Sequence, residues 1–326
     1  MNSLTSRSSV PLLSVDFLRH YVTTMRPYLL FVSGITGIVG ISFHPVVSVT
    51  KAALLFIASF LSYGFGQALT DCTQTDTDAL SSPYRPLPRG IISRQQVAVI
   101  SVTGLIACVA VFAGGRTVNL ALGILAGLGL ATYTPFKRRW WSGPFYNAWI
   151  VTVLFIMAFL GAAADTPSGR TPGFIATGLA VFFGYANFVL SGYFKDIDAD
   201  RQTGYRTIPV VFGRRTAAVV SDAFAVAFAL STACALISID AGAVSRSLSS
   251  ILWLAGAATL VVAHRRLHRV RTDAEAHRAI APVVHAYLLL LAAISTANNV
   301  AFAGPLAVYG IGYLLVMKYR PAVDQI

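Results

Sequence analysis

The stretch DCTQTDTDALSSPYRPLPR, running from Asp71 to Arg89, decides how this chain folds. It follows an apolar run over residues 54–69, long enough to cross a bilayer, and a second such run begins near Val97. Acidic residues are scarce, 13 Asp and Glu in 326, yet Asp71, Asp76 and Asp78 fall within eight positions. A second cluster, Asp196, Asp198 and Asp200, closes another apolar run. Six of thirteen carboxylates in two short segments do not describe a solvated surface. Oxygen ligands bunched in this way suit a hard divalent cation such as Mg²⁺, which commonly bridges to substrate phosphates. The pattern predicts a membrane enzyme with two facing metal-and-phosphate loops.

Composition narrows the class. Mean hydropathy is +0.67. Hydrophobic residues make up 56% and charged residues 12%, against about 25% charged in an ordinary soluble domain. Apolar runs near the length that spans the hydrocarbon core recur at 28–47, 52–70, 97–115, 118–134, 147–163, 173–193, 216–237, 247–263, 280–298 and 302–317. This excludes a soluble bundle and predicts an all-α membrane protein, one domain over residues 1–326. Asn298, Asn299 and Pro305 interrupt the last run, so the expectation is nine, or with that run ten, transmembrane helices. The first 25 residues are polar, carry Arg7 and Arg19, and lack a small-residue cleavage site, which argues against a cleavable signal peptide. Cys72, Cys108 and Cys234 have neither zinc nor redox spacing.

The net charge of +12 invites a nucleic-acid reading, but the placement of the charges opposes it. With the N-terminus inside and the last run crossing, Lys51, Arg116, Arg170 and Arg246 are the only basic residues outside, leaving 21 of 25 at the inner face. That bias is a topology signal, and it puts both acidic loops on the cytoplasmic side, for which the expected setting is a bacterial cell membrane. No nucleic-acid partner is expected. Residues 1–25, with Leu12, Leu13, Val15, Phe17 and Leu18 beside Arg19 and His20, read as an N-terminal cytoplasmic segment with an interfacial helix. The run from His264 to Arg271 reads as an anchor on anionic lipid.

Within the loops, a helix continuing past Leu69 would place Asp71, Gln74 and Asp78 on one face and turn Asp76 away. Pro86 and Pro88 stiffen the following segment and hold Arg85 and Arg89 near that face. Arg26 opens the first span and either snorkels to lipid phosphate or faces the site. Tyr133 stands one turn before Lys137, a spacing that aims both side chains alike; Asn147 reads equally as a buried polar residue or a site residue. In the second loop Asp196 and Asp200 are four apart and share a face, Asp198 is turned away, and Gly204 permits a sharp turn that returns Arg206 towards the carboxylates. The order acidic helix end, turn, Arg, Pro occurs in both loops, so the chain reads as a weak duplication whose acidic loops face each other across a central cavity. No phosphate-binding glycine loop, nucleophile–histidine constellation or CxxC pair is present.

These residues resemble the UbiA superfamily of intramembrane prenyltransferases. Arg85-Pro-Leu-Pro88 matches its R-P-L-P and fixes the register; the preceding motif reads T-D-C-T-Q-T-D-T-D from Thr70 to Asp78. Tyr133-Thr-Pro-Phe-Lys137 matches the middle Y-x-x-x-K, and Asp196–Asp200 with Gly204-Tyr-Arg-Thr207-Ile-Pro209 match D-x-x-x-D and G-x-x-T-I-P. Two positions depart: Thr70 stands for the family's Asn and Gln74 for its central Asp, unless a shifted pairing of Gln67 with Asp71 takes that role. The resemblance implies a UbiA-like bundle around a central cavity. It also implies two Mg²⁺ ions on Asp71, Asp78, Asp196 and Asp200, gripping a prenyl diphosphate that Arg85, Lys137, Tyr133, Lys195 and Arg206 help to bind. Catalytic residues by the same token are Asp71, Asp78, Asp196, Asp200 and Lys137, with Gln67, Gln74, Arg26 and Asn147 as further candidates. The implied reaction moves the prenyl group to an aromatic or other small lipophilic acceptor within the membrane. A terpene cyclase, in which the substrate's own double bond captures the cation, is the alternative that the altered first loop raises. A transporter would carry its carboxylates near mid-span rather than at helix ends.

Overall fold

A computed structural model describes residues 9–12, 14–163 and 173–319; Arg7, Leu13 and Arg170 lie outside the described residues. These residues form thirteen α-helices with short 3₁₀ turns and no strand. In chain order the helices are α1 (Val15–Met25), α2 (Leu30–Ser42), α3 (Val49–Asp71), α4 (Thr75–Ser81), α5 (Arg94–Gly115), α6 (Val118–Lys137) and α7 (Gly143–Ala162). They continue with α8 (Phe174–Gly192), α9 (Ile197–Gln202), α10 (Ile208–Ser238), α11 (Ala243–Leu267), α12 (His277–Asn298) and α13 (Ala303–Tyr319). Among the described residues nine segments are long and apolar enough to cross a membrane, and a tenth arises if α1 and α2 count as one span. The protein is therefore an integral membrane protein.

The first span differs from expectation. Residues 28–47 do not form one straight helix: α2 is 13 residues long and meets α1 at a 47° bend. The cause sits at Arg26, whose backbone is left-handed (φ 55°) just before Pro27. A residue before proline is pushed out of the helical region, so the helix stops there. Phe17, Tyr21 and Met25 of α1 pack beside α3 while Val15, Leu18 and Val22 stay exposed.

Chain-consecutive helices pack side by side, and α12 returns to pack against α2, which closes a ring. Small residues let the helices approach where lipid gives no hydrophobic drive. A Cβ at Gly37 of α2 would collide with Ser59 of α3, and one at Gly40 would lie 2.7 Å from the Phe155 carbonyl oxygen. Of the membrane-length segments α12 is the most enclosed and α13 the least, so α13 lies on the rim, while the shorter α2 is buried along its whole length. Helix α10 is broken at Gly213 (φ 80°), after which its membrane-length part begins, close to the expected residue 216.

The basic run is not purely a lipid anchor. His264 Nδ1 and His268 Nε2 each bond one oxygen of Asp222 at 2.7 Å, tying α11 to α10. Both acidic loops lie at one end of the ring, where α4 and α9 pack together: Thr77 and Thr203 hydroxyls meet at 3.0 Å, and the Tyr205 hydroxyl donates to Asp76 at 3.4 Å.

Candidate active site

Helix α3 does not run through the first loop. It ends at Asp71, turns over residues 72–74, and α4 restarts at Thr75. The hydroxyls of Thr70 and Thr73 donate back to the carbonyls of Gln67 and Thr70 at 2.9 and 2.8 Å, the local competition that loosens a helix end. The turn nonetheless buries Asp71, Gln74 and Asp78 and leaves Asp76 half-exposed against Arg138 at 2.8 Å. In the second loop Asp200 is fully buried on α9, Asp196 stands just before its first turn without a capping bond, and Asp198 is exposed with Arg201.

Inside the ring lies a cavity of about 220 Å³. Its polar end carries Arg26, Gln67, Gln74, Asp78, Arg85, Tyr133, Lys137, Asn147, Lys195 and Asp196; its far end is walled by Leu105, Val109, Phe112, Leu154 and Met157. Asp71 and Asp200 stand behind this wall. Asp71 is held by Arg26, 3.0 Å to each oxygen, and by the Gln67 amide at 2.6 Å. Arg85 Nη1 donates to Asp78 Oδ1 at 2.9 Å, and Lys195 Nζ is 3.9 Å from Asp196 Oδ1. Thr207 donates to Asp200 Oδ2 at 3.2 Å. Lys137 Nζ donates to Gln74 Oε1 at 2.8 Å and rests over the Tyr205 ring at 5.1 Å.

Arg206 does not return to the carboxylates. Gly204 makes the turn (φ 78°), but it delivers the Tyr205 side chain inward and leaves Arg206 exposed, its N–H donating to the Arg138 carbonyl at 3.0 Å. Tyr205 thus takes the place expected for a cation. Tyr193 was also outside the sequence reading; its hydroxyl meets that of Tyr133 at 3.0 Å. The signal for Tyr205 was the alternation of side chains after a tight turn, which aims neighbours in opposite directions.

The electrostatics are unbalanced towards anion binding. Burial pushes the Asp200 carboxyl up to about 7, with Lys137 pulling against it. Burial also raises Asp196, but Lys195, Lys137, Arg85 and Arg26 outweigh it and hold that carboxyl below the usual range. Asp78 Oδ2 and Asp200 Oδ1 are buried without a hydrogen-bond partner among the described residues. Free carboxylate oxygens of this kind match a hard cation in donor chemistry. They are not gathered into a ready-made cluster: among the described residues no three His, Cys, Asp or Glu side chains form one.

Comparisons with known proteins agree with this geometry. The sequence profile of the UbiA prenyltransferase family matches residues 30–282, from α2 into α12. Digeranylgeranylglyceryl phosphate synthase of Pyrococcus abyssi is 26% identical over 217 residues, 63% of this chain and 73% of that one. The solved structure of a UbiA homolog from Archaeoglobus fulgidus bound to GPP and Mg²⁺ superimposes with a TM-score of 0.63 at 20% identity, covering 85% of this chain and 99% of that one. An apo UbiA homolog from Aeropyrum pernix K1 gives 0.64 at 19% identity, over 81% and 96%. With the family profile covering more than half its length, and a helical fold shared with the solved homologs, the chain belongs to the UbiA prenyltransferase family.

Proposed function

We propose that the chain moves a prenyl group from a prenyl diphosphate to a lipophilic acceptor with the help of Mg²⁺, at the cytoplasmic face of its membrane and with its N-terminus on that side. One observation carries this reading: four cations from four segments, Arg85 and Lys137 buried and Arg26 and Lys195 partly buried, face the same end of an apolar-walled cavity. The preponderance of basic residues at that end supports the orientation.

The resting ion pairs suit partner exchange. Arg26–Asp71, Arg85–Asp78 and Lys195–Asp196 each hold a cation against a carboxylate. A diphosphate that draws the cations leaves the carboxylates for Mg²⁺, so no buried charge is stranded on binding. Asp78 and Asp196, which line the cavity, and Asp200 behind them would hold the metal, with Asp71 available to it were Arg26 drawn to phosphate. Bound there, Mg²⁺ supplies positive charge against the leaving diphosphate. Arg85, Lys137 and Lys195 stabilise the same oxygens as the C1–O bond breaks and its electron pair departs with them. The apolar walls exclude water from the allylic cation. An acceptor nucleophile held near C1 then bonds to it and sheds its proton.

The names of the Pyrococcus relatives favour a glyceryl phosphate hydroxyl as acceptor over an aromatic ring. Gln74 supports a second reading, terpene cyclisation: its amide brings no charge to the metal site and is already engaged by Lys137 and Thr134. Purified protein, Mg²⁺ and prenyl diphosphates are to be assayed with aromatic acceptors, with glyceryl phosphate acceptors and with none. An acceptor-dependent prenylated product is expected. A cyclic hydrocarbon formed without acceptor would establish the second reading, and diphosphate release undiminished by chelation would exclude both.

Gln74→Asp tests the altered loop. It adds a carboxylate where Lys137 now bonds an amide, and the Mg²⁺ concentration giving half-maximal rate is expected to fall about tenfold as ligand charge rises. An unchanged titration would assign the role to the Gln67–Asp71 pair instead.

A further inference from the structure

We propose that Phe112 and Met157 form a fixed floor that sets the longest prenyl chain the cavity accepts; this rests on the prenyl-transfer reading above. Both side chains are buried and line the end of the cavity opposite Lys137. Three features make that end rigid. The fully buried Asn119 side chain donates to the Phe112 carbonyl at 2.9 Å and to the Met157 carbonyl at 3.0 Å, stapling α5 to α7 at the two floor residues. One turn beyond, the backbones of Gly115 and Gly161 come so close that a Cβ on Gly115 would collide with the Gly161 carbonyl oxygen. On the remaining side Gly123 admits Val109 against α6, leaving no room for a Cβ there.

The depth fits a definite length. Tyr133 to Gly123 on one wall and Asn147 to Met157 on the other are each ten residues of helix, about 15 Å of rise. Three bonds of extended chain cover about 3.6 Å, so a four-bond isoprene unit covers roughly 4.8 Å and the apolar chamber holds about three units, or four with the stretch up to Lys137. A longer tail meets packed helix rather than lipid at the floor. Gly127 lies part-way along the α6 wall with open space where a Cβ would stand, so a larger residue there shortens the chamber.

The test compares kcat/KM for farnesyl, geranylgeranyl and geranylfarnesyl diphosphates, using full-length protein, Mg²⁺ and the acceptor found active above. Wild type is expected to fall steeply at the longest substrate. Phe112→Ala should raise the geranylfarnesyl-to-farnesyl ratio about tenfold, the scale on which an apolar pocket discriminates chain length, and Gly127→Leu should lower the geranylgeranyl-to-farnesyl ratio by a similar factor. Gly127→Leu carries the test alone should Phe112→Ala not fold. Transfer that persists with neither ratio moved would overturn the proposal, because the tail would then leave sideways between helices. Absence of transfer from every diphosphate in wild type would instead overturn the functional reading beneath it.

Discussion

Asp196→Ala is expected to lower kcat/KM by about a thousandfold or more, the upper range for removing one fixed charge partner of a transition state. Its helical circular dichroism and its elution in detergent should match wild type. The asymmetry follows from what Asp196 holds. It stands at the N-cap position of α9 without a side-chain capping bond and faces the cavity, and its one ion pair among the described residues, with Lys195, spans 3.9 Å. Asp71 carries three short bonds from Arg26 and Gln67 and would be missed structurally. Asp196 carries almost nothing in the resting protein, although four neighbouring cations hold it ionised. A largely enclosed carboxylate kept charged without a close partner has its use in another state, which is the bound one. If the variant keeps more than a tenth of wild-type activity, Asp196 leaves the metal set and Asp78 with Asp200 must suffice.

The membrane spans were legible because hydrocarbon imposes a long, uniform apolar run that little else in a protein requires. The paired acidic loops were legible for a related reason: carboxylates are so rare in this chain that two clusters stand out, and they do meet, through α4 and α9. What the sequence did not reveal depends on single backbone torsions. The left-handed Arg26 splits the first span, the turn after Asp71 restarts the helix, and one reversal at Gly204 exchanges Tyr205 for Arg206 at the site. Hydropathy has no means of registering such changes, since each alters direction and not composition. Asn119 was invisible for another reason. Its amide bonds two backbone carbonyls, and carbonyls are the same at every position, so no side-chain pattern announces the staple.

Lys137→Met is expected to cost about a hundred- to a thousandfold in kcat, since it removes one preorganised donor aimed at developing negative charge. Methionine keeps the unbranched apolar stem, so packing should survive and the charge alone is deleted. The structure gives Lys137 little reason to exist otherwise. Its ammonium is buried, its hydrogen bond goes to the neutral oxygen of Gln74, and the rings of Tyr205 and Tyr193 lie 5.1 and 5.7 Å away. The Asp200 and Asp196 carboxylates offset that charge at longer range, but neither hydrogen-bonds it, so its donors meet only a neutral amide and two ring faces and remain for an incoming phosphate. Lys137→Arg should recover part of the rate: it restores charge, but its planar fork cannot occupy the point position between Gln74 and Tyr205. A purely structural role, in which Lys137 only holds Gln74 in place, makes a different forecast. The Mg²⁺ titration would then move while kcat and the KM for prenyl diphosphate at saturating metal stayed within about twofold, the scatter expected of a change that leaves transition-state contacts alone. That outcome would reassign the diphosphate to Arg26, Arg85 and Lys195 and leave Lys137 as a prop for the altered first loop.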